Sequence, residues 1–266
     1  MALYRRTYGG GGGGGGYTFN ISEYFPRAIK TICIACIAVF FLQVISRFIF
    51  GEAGWAFWVH WFGLVPAEVT HVGFVWQLGT YLFLHATIWH ILFNLLYLAM
   101  FGADLEHMWG ARKFTTYFFL CGIGAGLIDV IVRTALDPHA VAGSVIPTIG
   151  ASGAIYGVLL ACAVIMPHRQ VYLFPLPVTI SMRLLIFILG AIEFFSTFGL
   201  TGDNVSHVCH LGGMLVGYLY LRRGSFLYNV RNQVSDYQRR RLRRKFEVYT
   251  RDHKNEPPSR PDNWVN

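Results

Sequence analysis

The sequence predicts an all-α membrane protein, a polytopic bundle of six transmembrane helices. Only 14% of its 266 residues are charged, whereas 54% are hydrophobic; a typical soluble domain carries about 25% charged residues. Six apolar runs reach or approach the roughly 20 residues that a membrane-spanning helix needs. Of the 22 Lys and Arg residues, 12 lie at or after Arg222. These observations argue against a soluble enzyme, a disordered chain and a disulfide-stapled secreted module.

Two of the six apolar runs differ from lipid-facing helices. The second run contains His85, His90 and Asn94, and the last contains His207 and His210. Polar and ionisable side chains inside a membrane are costly and are candidates for function. The last run is also short and rich in glycine, so we expect other helices to enclose it. The six runs are residues 29–50, 78–101, 114–132, 149–167, 180–200 and 206–221.

Basic residues predict the orientation of the spans. They collect before the first run, in alternate loops and in the tail, although Arg47 and Arg133 are exceptions. Because Lys and Arg favour cytoplasmic loops, both termini should be cytoplasmic.

The regions outside the spans are predicted to have three different roles. Residues 1–28, with eight consecutive glycines, form a flexible cytoplasmic N-terminus. Residues 51–76 carry several Trp residues and form a loop along the outer leaflet. Residues 222–266 form a basic cytoplasmic tail, which we expect to contact anionic lipid headgroups. Nucleic-acid binding by this tail is the less favoured alternative.

A hydrolytic site is suggested by two glycine pairs beside a serine and a histidine. Ser152 precedes Gly153 and Gly157 in the fourth run, and His210 precedes Gly213 and Gly217 in the sixth. Such pairs let two helix backbones approach closely in lipid. Packing along them would bring Ser152 within hydrogen-bond reach of His210, the nucleophile–base arrangement that hydrolysis requires.

The second run supplies candidate oxyanion donors. His90 and Asn94 lie one helical turn apart and share a face, and the backbone N–H of Ser152 is a third donor. His85 lies on a neighbouring face, where it would line the same polar cavity. Each feature alone has a structural explanation, because serines and glycine pairs often serve helix packing. Their co-occurrence near one side of the membrane favours a hydrolytic site.

At these residues the chain resembles the rhomboid family of intramembrane serine proteases, in its bacterial six-helix form. The resemblance covers a catalytic core at 29–221. It rests on three motifs: His90-Ile-Leu-Phe-Asn94, Gly150-Ala-Ser152-Gly153-xxx-Gly157 and His210-Leu-Gly-Gly213-xxx-Gly217.

The resemblance implies a role for each matched residue. Ser152 is implied as the nucleophile and His210 as the general base, with His90 and Asn94 stabilising the oxyanion. Tyr156 matches an aromatic residue on which the histidine packs. The resemblance further implies that Glu106 ties the cytoplasmic end of the second span into the following loop, and that Phe93 lies near substrate entry.

Some positions depart from the family pattern. Gln77 stands where the family often has Arg, so ionic anchoring by that Arg is absent, and Cys209 replaces Ala before His210. We expect no carboxylate to orient His210, which predicts a dyad and leaves Glu193 without a catalytic role. Substrate is expected to enter between the second and fifth spans, where Phe194, Phe195 and Phe198 form either a gate or a lipid-facing surface.

The sequence thus predicts an intramembrane serine endopeptidase that hydrolyses transmembrane protein substrates with a Ser152–His210 dyad. No metal or other cofactor is implied, because HExxH and paired-aspartate patterns are absent from the sequence. The alternatives are a catalytically inactive protein that binds transmembrane helices, and a small transporter. The expected location is a bacterial cytoplasmic membrane, and the oligomeric state stays open.

Overall fold

The computed structural model describes residues 25–136, 145–172, 178–197 and 206–223. By its contacts the chain divides into one unit that ends at Tyr220 and a second from Leu221. The helices and turns are α1 (Arg27–Phe50), α2 (Glu52–Phe62), a π-helical turn (Glu68–Val72), α3 (Gln77–Thr80), a 3₁₀ turn (Tyr81–Phe83), α4 (Ile88–Tyr97), a second π-helical turn (Leu98–Gly102), α5 (Ala103–Trp109), α6 (Ala111–Leu136), α7 (Ser152–Ile165), α8 (Met182–Ser196) and α9 (His207–Arg222).

Among the described residues, three helical stretches are long and apolar enough to cross a membrane: Arg27–Phe50, Ile88–Trp109 and Ala111–Leu136. The prediction of an α-helical membrane protein is therefore confirmed. The helices α7, α8 and α9 have 14, 15 and 16 residues. At about 1.5 Å per residue, helices of this length measure about 21 to 24 Å, less than the roughly 30 Å hydrocarbon core. Nine residues of α7 are buried, so protein rather than lipid surrounds most of it.

The second apolar run does not form one helix over 78–101 as predicted. Leu84 is extended, and a new helix begins at Ile88, where the Thr87 hydroxyl accepts a hydrogen bond of 3.1 Å from the His90 N–H. Threonine favours this capping position. The helix then continues to Trp109 and ends at Gly110, whose φ of 82° favours glycine. His85 consequently lies outside the helix that carries His90.

Gln77 anchors the segment between the first two long helices. Its side-chain oxygen accepts a hydrogen bond from the Val65 N–H at 3.0 Å, and its amide nitrogen donates to the His60 carbonyl at 2.8 Å and to Glu68 Oε2 at 2.6 Å. Gln77 is buried, and these hydrogen bonds from a neutral side chain anchor the segment at the position where the resemblance would place an arginine.

Glu106 holds the start of the first helix. Its carboxylate oxygens accept hydrogen bonds from the backbone N–H groups of Ala28 at 2.8 Å and Ile29 at 3.0 Å. These groups belong to the first turn of α1, where N–H groups lack a partner within the helix and attract negative charge. The expectation that Glu106 ties into the loop that follows it was wrong, because its side chain ties the second long helix to the first.

Glycines place α9 directly against α7. A Cβ atom on Gly213 would lie 1.9 Å from the Gly153 carbonyl oxygen, and one on Gly217 would lie 3.3 Å from Gly157 Cα. A side chain at Gly213 would therefore clash with the backbone of α7. The predicted packing of the fourth and sixth apolar runs along their glycine pairs is confirmed.

Asp129 is a fully buried acid within α6. Its Oδ2 lies 3.2 Å from the Arg133 guanidinium and accepts a hydrogen bond of 3.0 Å from the Thr148 hydroxyl, while Oδ1 accepts one of 2.5 Å from the Ser206 hydroxyl. This network connects α6 to the residues before α7 and before α9. It also accounts for Arg133 as an exception to the orientation pattern, because its charge is paired within the protein.

A short β-hairpin joins α7 to α8. Strand β1 (Gln170–Tyr172) pairs antiparallel with strand β2 (Thr179–Ser181), with Val171 opposite Ile180. The sequence analysis predicted no strand here, and three-residue strands give too short an alternation to be seen as a pattern. The hairpin sets the start of α8 at Met182, and the Ser181 hydroxyl accepts a hydrogen bond of 3.4 Å from the Leu184 N–H.

Candidate active site

The structure brings Ser152 and His210 together. The Ser152 Oγ lies 2.7 Å from the Nε2 of His210, so the predicted contact between the two side chains is present. Ser152 is the first residue of α7, and His210 lies in the first turn of α9. The glycine interface between these helices makes the contact possible, because larger residues would hold the two backbones apart.

Gly150 shapes the turn that precedes Ser152. Its φ is +118°, and its N–H donates a hydrogen bond of 2.9 Å to the Tyr81 carbonyl. A Cβ atom at this position would lie 2.6 Å from His90 Nε2. Glycine is favoured at this position for two reasons. Other residues disfavour this φ, and a side chain would collide with His90.

His90 and Asn94 are available to donate hydrogen bonds next to Ser152. The Ala86 N–H donates to His90 Nδ1 at 3.4 Å, which in a neutral ring places the proton on Nε2. Asn94 Nδ2 donates to the His90 carbonyl at 3.0 Å, and its second amide hydrogen is left for another acceptor. Ser152 adds its backbone N–H at the start of α7, where the helix dipole favours negative charge.

A cavity of about 250 Å³ opens beside these groups. His90, Asn94 and Ser152 form its polar part, and the remaining wall is apolar or aromatic and reaches Leu189 on α8. The cavity thus lies where α4, α7 and α8 meet. The apolar and aromatic lining residues are Phe93, Tyr97, Ile155, Tyr156, Leu159 and Leu189.

His85 stands behind His90 rather than in the cavity wall. The two rings meet edge to face with centroids 5.0 Å apart. The His85 N–H donates to Gln43 Oε1 at 3.2 Å, and its ring Nδ1 lies 3.2 Å from the Phe83 carbonyl. His85 is not among the residues that line this cavity, and the break in the helix before Ile88 separates it from the face that carries His90 and Asn94.

Tyr156 packs on His210 as the resemblance implied. The two rings are stacked, with centroids 4.3 Å apart and planes 14° from parallel. The Tyr156 hydroxyl also donates a hydrogen bond to Glu193 Oε1. Tyr156 therefore contacts both the imidazole and a buried carboxylate on α8.

The expectation that no carboxylate stands beside His210 was wrong. Glu193 Oε1 lies 3.0 Å from His210 Nδ1, and Glu193 Oε2 lies 2.6 Å from His207 Nδ1. Both histidines are on α9, whereas Glu193 is on α8. Sequence spacing does not show that the carboxylate of one helix meets the imidazole of another, but a single acid in an apolar run was itself a signal of a buried partner.

Within the described ranges, Glu193, His207 and His210 form a group that could hold a metal ion. One ligand atom from each lies within 4.8 Å of the others, and two histidines with one carboxylate match a donor set used by zinc. The sequence implied no metal because these residues do not form a metal-binding spacing pattern along the chain.

Two further predictions concern α8 and the loop after it. Phe194 and Phe195 are about half exposed and pack edge to face, with ring centroids 5.6 Å apart. Phe198, the third residue of the predicted gate, lies outside the described residues. The glycine tract and the basic cluster of the tail also lie outside them.

Comparison with known proteins identifies similar sequences. The rhomboid domain matches residues 72–224, more than half of the chain. Rhomboid protein 1 of Saccharomyces cerevisiae mitochondria is 32% identical over 52% of this chain and 38% of its own. Rhomboid protease GluP of Bacillus subtilis is 30% identical over 59% of this chain and 27% of its own. Inactive rhomboid-related protein 2 of Caenorhabditis elegans is 32% identical over 58% of this chain and 43% of its own. The chain therefore spans less than half the length of these three relatives.

Proposed function

Because the chain belongs to the rhomboid family, we propose that it is a serine endopeptidase that hydrolyses peptide bonds in or near the transmembrane segments of other proteins. The observation that carries this proposal is the 2.7 Å contact between Ser152 Oγ and His210 Nε2 beside the cavity. A serine hydroxyl is a weak nucleophile unless a base removes its proton during attack. His210 is in reach to do so.

The first half of the reaction forms an acyl-enzyme. Ser152 Oγ attacks the substrate carbonyl carbon while His210 Nε2 takes its proton. The carbonyl oxygen becomes an oxyanion, which accepts hydrogen bonds from His90, Asn94 and the Ser152 backbone N–H. The intermediate collapses when His210 gives the proton to the leaving amine.

The second half releases the acyl group. Water replaces the leaving amine, His210 takes a proton from it, and the resulting hydroxide adds to the acyl carbon. Collapse of the second intermediate returns the proton to Ser152 and frees the new carboxyl terminus. The polar groups that line the cavity, His90, Asn94 and Ser152, give this water hydrogen-bond partners.

The proposal places the chain in the bilayer as six spans. The short helices α7, α8 and α9 complete the bundle with the three long stretches, and their length is tolerated because neighbouring helices cover α7. Both termini lie in the cytoplasm of a bacterial cell, and the tail at 222–266 contacts anionic headgroups of the cytoplasmic membrane.

Substrate reaches Ser152 between α4 and α8. The cavity extends to Leu189 on α8, and half-exposed aromatic residues of α4 such as Phe93 stand at the same side. A transmembrane segment that approaches from lipid would unwind at its outer end to present a carbonyl. Small or helix-breaking residues near the cleaved bond would favour this unwinding, because they destabilise a helix.

The test is cleavage of a model transmembrane protein in liposomes. Ser152→Ala and His210→Ala should each lower cleavage on the order of 10⁴-fold or more, because nucleophile and base act as one unit. Ser181→Ala is the matched control, since Ser181 also lies at a helix start but stands outside the cavity. Cleavage by Ser152→Ala at the unmodified rate would contradict the proposal.

The inactive alternative is separated by labelling. A fluorophosphonate should modify Ser152 in the unmodified protein and leave Ser152→Ala unlabelled. A protein that binds the transmembrane segment but is neither labelled nor able to cleave would instead match the inactive relative of Caenorhabditis elegans.

A further inference from the structure

We propose that Glu193 is a positioning residue for His210, so that this site works as a Ser152–His210–Glu193 triad rather than as a dyad. The inference rests on the proposed function and deepens it. It is carried by the position of the carboxylate, by the way the carboxylate is held and by the lack of a Lys or Arg partner for it among the described residues.

The imidazole of His210 has a polar contact on each ring nitrogen. Nε2 lies 2.7 Å from Ser152 Oγ, and Nδ1 lies 3.0 Å from Glu193 Oε1. A carboxylate on the Nδ1 side favours the tautomer with the proton on Nδ1. Nε2 then carries the lone pair that is needed to accept the serine proton.

The Nδ1–H is not fully aligned with the carboxylate in the resting structure. Nδ1 is buried and makes no aligned hydrogen bond to any described residue. Leaving a buried donor unpaired is costly, and the nearest acceptor is only 3.0 Å away. Catalytic hydrogen bonds are often poorly aligned before substrate binds and tighten afterwards. A small rotation of either side chain would align this one.

The carboxylate itself is held in place from two helices. Tyr156 on α7 donates its hydroxyl to Oε1, and His207 on α9 contacts Oε2 at 2.6 Å. Tyr156 also stacks on the His210 ring and so fixes its plane. Packing and hydrogen bonds thus fix the position of the Glu193 carboxylate relative to the His210 imidazole.

Charge gives the carboxylate a role in the transition state. No Lys or Arg among the described residues forms an ion pair with Glu193, so the groups that face it are Tyr156, His207 and His210. A buried carboxylate is costly unless it is paired. When Ser152 transfers its proton, His210 becomes a cation next to this carboxylate. The pairing is strongest at that moment, and an interaction made mainly in the transition state raises kcat.

A purely structural role would tie α8 to α7 and α9 without affecting the chemistry. A gating role would act through α8, whose Leu189 lines the cavity one turn before Glu193. Loss of a structural tie would lower stability, and loss of a gate would change KM. The positioning role is distinguished because it predicts a lower kcat at similar KM and similar stability.

The experiment compares Glu193→Gln, Glu193→Asp and the unmodified protein in liposomes. Glu193→Gln keeps the size but removes the charge, and should lower kcat about 10- to 100-fold, which is at most the lower limit of the 10²–10⁴-fold that acid–base catalysis contributes, because His210 itself is still present. KM should change less than about twofold. Glu193→Asp should recover part of the lost kcat, because it restores the charge at a shorter reach. Leu189→Ala is the gate control and should act mainly on KM.

A spectroscopic measurement tests the inference without activity. In protein labelled with ¹⁵N-histidine, His210 should show the tautomer with Nδ1 protonated, and its Nδ1–H proton signal should move upfield in Glu193→Gln. An unchanged signal would overturn the inference even if the protein proves inactive. Absence of Ser152 labelling in the unmodified protein would instead count against the proposed function.

Three other outcomes would also overturn the inference. They are an unchanged kcat in Glu193→Gln, a change confined to KM, and loss of unmodified activity when a chelator is added. The last would assign Glu193, His207 and His210 to a metal ion. Activity that survives EDTA, together with the kcat loss and the altered Nδ1–H signal in Glu193→Gln, would support the triad.

Discussion

Asp129 and Glu193 are both buried acids inside apolar helices, but their surroundings differ. Asp129 faces one guanidinium and two hydroxyl groups, which pair its charge and both of its oxygens. Glu193 faces two imidazoles and a phenol, with no Lys or Arg paired to it in the described part of the chain. A permanently paired acid is suited to holding helices together, whereas an acid next to a titratable base is suited to chemistry. Buried acidic residues thus serve two purposes in this protein, structural for Asp129 and chemical for Glu193, and the neighbouring groups distinguish the two.

Removing the charge of Asp129 should have the largest effect on stability. Asp129→Asn removes the buried carboxylate charge that lies 3.2 Å from the Arg133 guanidinium, and breaking a buried ion pair costs about 3–5 kcal/mol. Unfolding in detergent or bilayers, followed by heat or denaturant, would measure the loss. Glu52→Gln is the control: its pair with Arg47 is exposed, and exposed pairs contribute about 0–1 kcal/mol.

This result would also test the comparison itself. If Asp129→Asn lowered kcat while the free energy of unfolding stayed constant, Asp129 would belong with the chemistry and the contrast with Glu193 would fail.

Removing an oxyanion donor should have the next largest effect, on chemistry alone. Asn94→Ala removes a side-chain amide that faces the cavity beside Ser152, and loss of one such donor lowers kcat about 10²–10³-fold. The matched variant Asn94→Asp keeps the size but removes the donors, and should be equally slow. Steady-state cleavage in liposomes would measure both. A loss expressed only as a higher KM would show that Asn94 binds substrate rather than the oxyanion.

Much of the site was predictable, because the spacing of residues within its sequence motifs indicates which side chains share a helix face and where two helices can approach closely. The glycine pairs of α7 and α9 predicted a close helix contact, and that contact brings Ser152 to His210. The turn at Gly150 and the helical spacing of His90 and Asn94 likewise follow from local rules. These features depend on residues that are near in sequence or on steric size, both of which a sequence displays.

The contacts of Glu193 and Asp129 were not predictable in the same way. Apart from the pair of Asp129 with Arg133 on one helix, these contacts join residues 14 to 77 positions apart and depend on how the helices rotate about their axes. The ends of the second run were missed for a different reason. The helical segment ends before the extended Leu84, and the Thr87 hydroxyl caps a new helix that begins at Ile88, although most of the surrounding residues are apolar. A hydropathy profile averages over many residues and therefore does not detect a single capping residue.

The smallest predicted effect separates the two functions of Tyr156. Tyr156→Phe keeps the ring stacked on His210 but removes the hydroxyl that donates to Glu193. Since a hydrogen bond to a charged group contributes about 1.5–3 kcal/mol and His207 still contacts the carboxylate, kcat should fall about three- to tenfold, less than in Glu193→Gln. The double variant Tyr156→Phe/Glu193→Gln should be no slower than Glu193→Gln alone, because the hydroxyl acts through the carboxylate. If the losses in cleavage rate were additive, Tyr156 would contribute to catalysis independently of Glu193. The difference between Asp129 and Glu193 would then not be explained by the carboxylates alone, because Tyr156 would also act on His210 directly.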